Sequence, residues 1–119
     1  MTAQLIMVNL DCADPQGLAA FYGSVLDWPV THSTEEYGMV SDGHTSIGFG
    51  RVADYTPPAW PDSPGTKRFH LDLSVPDLDA AVDTCVGLGA TVPEFQPGGG
   101  RWRVLLDPAG HPFCLCRAS

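Results

Sequence analysis

The sequence predicts an α+β fold in which the order βαβββ occurs twice. Three observations support this: five residues recur at one spacing, both halves show the same succession of strand-like and helix-like apolar patterns, and a proline-rich segment separates them. The 119 residues have the length of one domain. We expect module one over about 1–53, a linker over about 54–66 and module two over about 67–119.

The internal repeat is the main sequence signal. Five residues of the first half recur sixty-one positions later: Leu10, Asp11, Pro15, Ala19 and Ala20 match Leu71, Asp72, Pro76, Ala80 and Ala81. Further along, Gly43-His44 matches Gly110-His111 at a spacing of sixty-seven, each pair just before an apolar stretch. The repeat predicts two equivalent modules in one chain.

The first half has the signals of a strand, a helix and three further strands. An apolar run over 5–12 predicts the first strand. Asp14-Pro15 is a typical helix start, and the apolar positions between 18 and 26 have helical spacing. Pro29 ends that pattern. Three strands are predicted over 30–33, 37–41 and 45–52.

The second half repeats this order. Alternation predicts a strand over 69–75, and Asp77 is the expected cap of a helix that ends near Gly87 and Gly89. Further strands are predicted over 90–95, 102–106 and 113–116, with a turn at 107–110 before the last one.

Composition excludes several classes of function. The formal charge of −8 argues against nucleic-acid binding and is compatible with a cationic ligand. No apolar run reaches the length of a membrane span, and the first residues lack a basic signal-peptide region, so we expect a cytoplasmic protein. The four cysteines lack zinc-finger spacing, and buried free thiols are expected.

The repeat, the element order and the segment 107–113, Asp-Pro-Ala-Gly-His-Pro-Phe, resemble the glyoxalase / bleomycin-resistance / extradiol dioxygenase (vicinal oxygen chelate) superfamily. The first helix, 14–26, and the start of module two, 70–81, carry the same resemblance. It implies that the two modules pair their sheets into a cup with the helices on its outer face. It also implies a small-molecule ligand inside the cup, and a homodimer.

The resemblance further suggests where a divalent metal would be held. Family members use His or Glu from equivalent strands, and the matching positions are Asn9, Ile47, His70 and Cys114. A catalytic site needs about three good ligands, and this set offers one imidazole and one thiol. No cofactor is therefore expected, and if a metal binds, His70 is the expected ligand.

Strand alternation predicts which side chains share the concave face. Phe69, Leu71 and Leu73 would pack under the helix, whereas His70, Asp72 and Ser74 would face the cup. Cys114 and Cys116 would face it too, as would Asn9 and Asp11 on the first strand. Simpler interpretations stay open: His70 could bond Asp72 alone, the repeated aspartates could brace loops, and the thiols could be buried apolar groups.

Two tryptophans complete the candidate ligand-binding residues. Trp60 stands between prolines, as a lid or as an anchor at a dimer contact, and Trp102 lies between two arginines. The predicted ligand-binding set is Asn9, Asp11, Trp60, His70, Asp72, Trp102 and Cys114.

Three classes of function remain open. The first is a metal-free binding protein that sequesters an antibiotic or toxic metabolite in an apolar cup. The second is a divalent-metal lyase, isomerase or dioxygenase with His70 as a ligand; a metal-free acid–base enzyme using Asp72 and His70 lies between these two. The third is an accessory domain that only dimerises.

Overall fold

The computed structural model describes residues 4–61 and 69–118 and divides the chain into two compact units, Met1–Thr56 and Pro57–Ser119. The boundary falls inside the predicted linker, of which residues 62–66 lie outside the described part. Each unit combines one helix with one mixed sheet, so the α+β class is confirmed. Neither helix among the described residues has the length and apolar character that a membrane span requires.

The first unit contains a four-stranded sheet covered on one face by a helix. The strand order is β1-β4-β3-β2, with β1 parallel to β4 and the other pairs antiparallel. Its elements are β1 (Val8–Cys12), α1 (Pro15–Leu26), β2 (Val30–Ser33), β3 (Tyr37–Ser41) and β4 (Ser46–Arg51).

Helix α1 begins and packs as the sequence predicts. The side chain of Asp14 accepts a hydrogen bond of 3.1 Å from the amide of Gly17, which satisfies one free donor of the first turn. The helix ends at Asp27, whose backbone is left-handed. Tyr22 is fully buried and stacks on Phe49 of β4 with ring centroids 5.5 Å apart, so aromatic packing fixes α1 on the sheet.

The second unit has a three-stranded sheet in the order β5-β7-β6, with β5 parallel to β7 and β6 antiparallel to it. Asp77 caps its helix by accepting a bond of 3.1 Å from the amide of Ala80. Its elements are β5 (Leu71–Val75), α2 (Leu78–Gly87), β6 (Trp102–Leu106) and β7 (Pro112–Arg117).

Two predictions for the second half are wrong. The strand expected over 90–95 is reduced to a single bridge between Thr91 and Leu106, because Pro93 lacks the amide donor that a ladder needs. Phe69 does not pack under a helix; it is 92% exposed, because the ladder between β5 and β7 begins only at Leu71 and Phe113.

Candidate functional site

The candidate site lies on the face of the β5-β7-β6 sheet that is opposite to α2. Cross-strand register places Asp72 beside Cys114, and Cys114 beside Val104. The side chains of the neighbouring cross-strand pair, Leu105 and Phe113, point to the other face, where both are fully buried. Alternation therefore separates an apolar core from a row that carries a carboxylate and a thiol.

This row forms part of a cavity of about 400 Å³. Three strands and two loops supply its walls, which are mainly indole, proline and aliphatic surface around one polar cluster. The lining residues are Trp60, His70, Asp72, Pro97, Trp102, Val104, Pro112, Cys114 and Cys116.

The polar cluster consists of His70, Asp72 and Cys114. Nε2 of His70 lies 3.1 Å from Oδ1 of Asp72, and the two side chains are 37% and 64% exposed. One donor atom from each of the three residues lies within 4.8 Å of the other two. The cluster offers an imidazole nitrogen, a carboxylate oxygen and a sulfur, which can hydrogen-bond a ligand or hold one soft or borderline metal ion.

The second thiol of the cavity has a different character. Burial raises the pKa of Cys116, and the negative charge of Asp72 raises that pKa further. Cys116 therefore remains a neutral thiol at physiological pH and contributes polarisable surface rather than charge.

The two tryptophans are held by specific contacts. Nε1 of Trp60 donates to the carbonyl oxygen of Phe95 at 3.2 Å, so the indole is fixed by its edge and its ring surface remains for a ligand. The guanidinium of Arg101 lies 5.9 Å from the ring centroid of Trp102. Gly98 also lies against that indole: a Cβ atom there would be 2.5 Å from Cδ2 of Trp102.

The structure brings five of the seven predicted ligand-binding residues to this cavity: Trp60, His70, Asp72, Trp102 and Cys114. The other two, Asn9 and Asp11, lie on β1 of the first unit. The role of all seven residues in binding stays a prediction. Pro97, Val104 and Pro112 were missed. Alternation could have identified Val104 from Trp102 and Pro112 from Cys114, whereas the loop residue Pro97 carried no signal.

Ile47 lies sixty-seven positions before Cys114, the spacing of the glycine-histidine match, which predicts that these two residues are repeat partners. This prediction is wrong. Asp11 pairs with Gly50 in the first unit, and Asp72 pairs with Cys114 in the second. Because Asp11 and Asp72 are repeat partners, the counterpart of Cys114 is Gly50. The match of glycine-histidine pairs misleads because the turns before β4 and β7 differ in length. The corrected position still supplies no metal ligand.

Comparison with known proteins gives a consistent result. A family model described as "Glyoxalase-like domain" matches residues 7–116. None of the curated proteins matches significantly. Solved structures do match, and at these identities they show the fold alone.

A glyoxalase/bleomycin resistance protein/dioxygenase family enzyme from Burkholderia phytofirmans PsJN is 22% identical, with a TM-score of 0.73 over 98% of this chain and 100% of that one. A bleomycin-binding protein complexed with bleomycin is 23% identical, with a TM-score of 0.60 over 99% and 100%. The fosfomycin resistance protein FosX from Mesorhizobium loti is 14% identical, with a TM-score of 0.69 over 100% and 94%.

Proposed function

We propose, from the premise that this chain belongs to the glyoxalase-like domain family, that it binds a small organic molecule in the cavity of its second unit without a catalytic metal. The supporting observation is the lining itself: two indoles, three prolines or aliphatic groups and a single polar cluster surround one space. Apolar walls with a few convergent polar groups are the usual composition of a ligand site.

The cavity suggests the chemistry of the ligand. Its volume of about 400 Å³ suits a compact molecule or one ring system of a larger one. Trp60 and Trp102 offer aromatic surface, and the pair of Asp72 and His70 offers a hydrogen-bond acceptor and donor. Structures of similar fold include a bleomycin-binding protein and a fosfomycin resistance protein. We propose sequestration of an antibiotic or toxic metabolite as the role.

Nuclear magnetic resonance (NMR) spectroscopy tests this proposal. The chain has three tryptophans and hence three indole N–H signals. A screen of aromatic antibiotics and metabolites should yield ligands that shift the signals of Trp60 and Trp102 and leave that of Trp28 in place.

A variant pair then tests the site. Trp102→Leu should weaken the binding of such a ligand by about five- to thirtyfold, because an aromatic contact in a desolvated site contributes roughly 1–2 kcal/mol. Phe69→Leu, at an exposed aromatic outside the cavity, is the control. Unchanged affinity in Trp102→Leu, or ligand shifts confined to the first unit, would contradict the proposal.

A second candidate is a divalent-metal lyase, isomerase or dioxygenase. The observation that favours it is the His70, Asp72 and Cys114 cluster, whose donor atoms lie within 4.8 Å of one another. Three protein ligands with one open position is the pattern of catalytic zinc sites, so the donor set fits such an ion. When bound, the metal would polarise a carbonyl or enolate oxygen of the substrate.

Cobalt substitution distinguishes the two candidates. Binding of Co²⁺ at the cluster should give a thiolate-to-cobalt absorption band, which His70→Ala should abolish. His44→Ala replaces an exposed histidine of the first unit and should leave the band unchanged. If wild-type protein takes up no metal, or if His70→Ala retains it, the metal-dependent enzyme is excluded at this site.

A homodimer and a cytoplasmic location are further parts of the proposal and rest on the family resemblance and the sequence. Light scattering measures the assembly state. A dimer in which both cavities stay open to ligand supports the binding protein, whereas a dimer that closes them supports an accessory domain.

A further inference from the structure

Trp60 separates the cavity from a second concavity of about 520 Å³, which we call the Trp60–Phe95 groove. Among the described residues, Trp60 lines both spaces. The groove is lined by Trp60, Pro61, Pro93, Glu94, Phe95 and Gln96. Apart from Trp60, the proposed function uses none of the residues that line this groove.

Hydrogen bonds fix the walls of this groove. The side-chain nitrogen of Gln96, Nε2, donates to the backbone carbonyls of Pro93 and Val104 at 3.0 and 2.9 Å. Its side-chain oxygen, Oε1, accepts from the backbone N–H of Val104 at 2.9 Å. Trp60 donates to the carbonyl of Phe95. The loop that carries the groove is thus tied to β6 on one side and to the indole on the other, so its shape exists before a ligand arrives.

The groove exposes aromatic surface. The rings of Trp60 and Phe95 lie 5.9 Å apart at an angle of 43°, so they form two walls of a corner rather than a closed stack. Phe95 is 52% exposed. A large exposed aromatic beside a fixed indole offers ring faces to whatever occupies the corner.

The charge of the groove has one sign. Glu94 supplies a carboxylate, no lining residue among those described is cationic, and the whole chain carries −8. Aromatic faces are negative and attract cations. A single carboxylate offers too few oxygen ligands for a hard ion such as Ca²⁺, which takes six to eight.

We propose that the Trp60–Phe95 groove binds an alkylammonium group, with the cation against the two ring faces and its charge balanced by Glu94. The methyl or methylene groups of such a cation are weakly hydrated and pack against indole and proline, whereas an anion would meet Glu94. This inference goes beyond the proposed function and does not depend on it, because the two linings share Trp60 and otherwise consist of different residues.

The test compares choline with 3,3-dimethyl-1-butanol, its uncharged isostere, in titrations of the ¹⁵N-labelled full chain. Choline should shift the indole signal of Trp60 and the amides of Glu94 and Phe95, with an affinity at least about fivefold higher than that of the neutral alcohol, which corresponds to about 1 kcal/mol of cation–aromatic attraction. Equal affinity would overturn the proposal. So would shifts centred on Asp72 and Cys116, which line the other cavity.

Two substitutions test the partners of the cation. Phe95→Leu keeps apolar bulk and removes the ring face, and it should weaken choline about fivefold; Glu94→Gln should weaken it about threefold, as for a partly exposed charge pair. Phe69→Leu and Glu35→Gln make the same chemical changes at exposed positions elsewhere and should have no effect. Wild-type affinity in either groove variant, with the spectrum of the folded chain retained, would refute the assignment.

Discussion

Replacing Gly38 by alanine should destabilise the protein, because this glycine allows α1 to approach β3 closely. A Cβ atom at Gly38 would lie 2.7 Å from the carbonyl oxygen of Pro15 and 3.0 Å from Cβ of Ala19. The first contact is with backbone in the first turn of α1, which no side-chain rotation can relieve. Overpacking of this kind costs about 1–3 kcal/mol, and we expect the free energy of unfolding to fall by that amount.

A matched control exists in the neighbouring strand. Gly50 pairs with Tyr37, next to the pair of Gly38 with Phe49, and its side-chain direction is toward the other face of the sheet. A Cβ atom there would meet nothing within 4 Å. Gly50→Ala should therefore leave stability unchanged or raise it by about 0.4–1 kcal/mol, since alanine restricts the unfolded chain.

Urea unfolding followed by circular dichroism measures both variants. For Gly38→Ala the midpoint should move to lower urea at an unchanged slope, which indicates a loss of stability without a change in exposed surface. In a thermal scan, each kcal/mol of lost stability lowers the melting temperature of a small domain by about 4–8 °C. If Gly38→Ala is as stable as wild type, or if Gly50→Ala loses as much, the close contact between α1 and β3 does not exist as described.

Two further predictions concern the candidate site. Gly98→Ala should displace Trp102, since a Cβ there would lie 2.5 Å from the indole ring and 2.5 Å from the carbonyl oxygen of Trp102. We expect a cavity ligand to bind up to about tenfold more weakly, because it loses its contact with the displaced ring. Gly100→Ala, where a Cβ meets nothing within 4 Å, should bind like wild type, and equal loss in both variants would contradict this. The charge of Asp72 contributes to the raised pKa of Cys116, so Asp72→Asn should lower that pKa and increase the thiolate fraction at pH 8. Alkylation of Cys116 by iodoacetamide, mapped by mass spectrometry, should then be about 1.5- to 5-fold faster. An unchanged or slower rate would show that burial alone sets the pKa.

Local signals in the sequence were enough to predict most of the fold. The bounds of β2, β3 and β6 agree with the predicted ranges, and both helices begin after the aspartates expected to cap them. Caps and turns depend on neighbours within a few residues, which a single sequence displays directly.

The errors arose where distant partners decide the outcome. Phe69 continues the alternation of β5, yet it lies beyond the first ladder pair at Leu71 and Phe113. Ile47 follows a turn of a different length from that before β7, so a match of short motifs gave the wrong register. Strand ends and register depend on the facing strand, which local patterns do not contain.

The candidate site, too, could be predicted only where local patterns decide the arrangement. Alternation alone placed His70, Asp72 and Cys114 on one face, because side chains on a regular strand follow period 2. The positions of Trp60 and Pro97 depend on how loops fold back onto the sheet, through contacts such as that of Trp60 with Phe95. The sequence named Trp60 for its chemistry but could not place it.

The amide of Gln96 has a consequence for assembly. This side-chain amide hydrogen-bonds both the N–H and the C=O of Val104, and the backbone of Thr91 hydrogen-bonds both groups of Leu106. The outer side of β6 is therefore already paired at these two residues, although no continuous strand lies beside it. An unpaired outer strand is a template for other chains and a common start of aggregation. Along this stretch the backbone of β6 therefore has no free groups at Val104 and Leu106 with which a second molecule could extend the sheet.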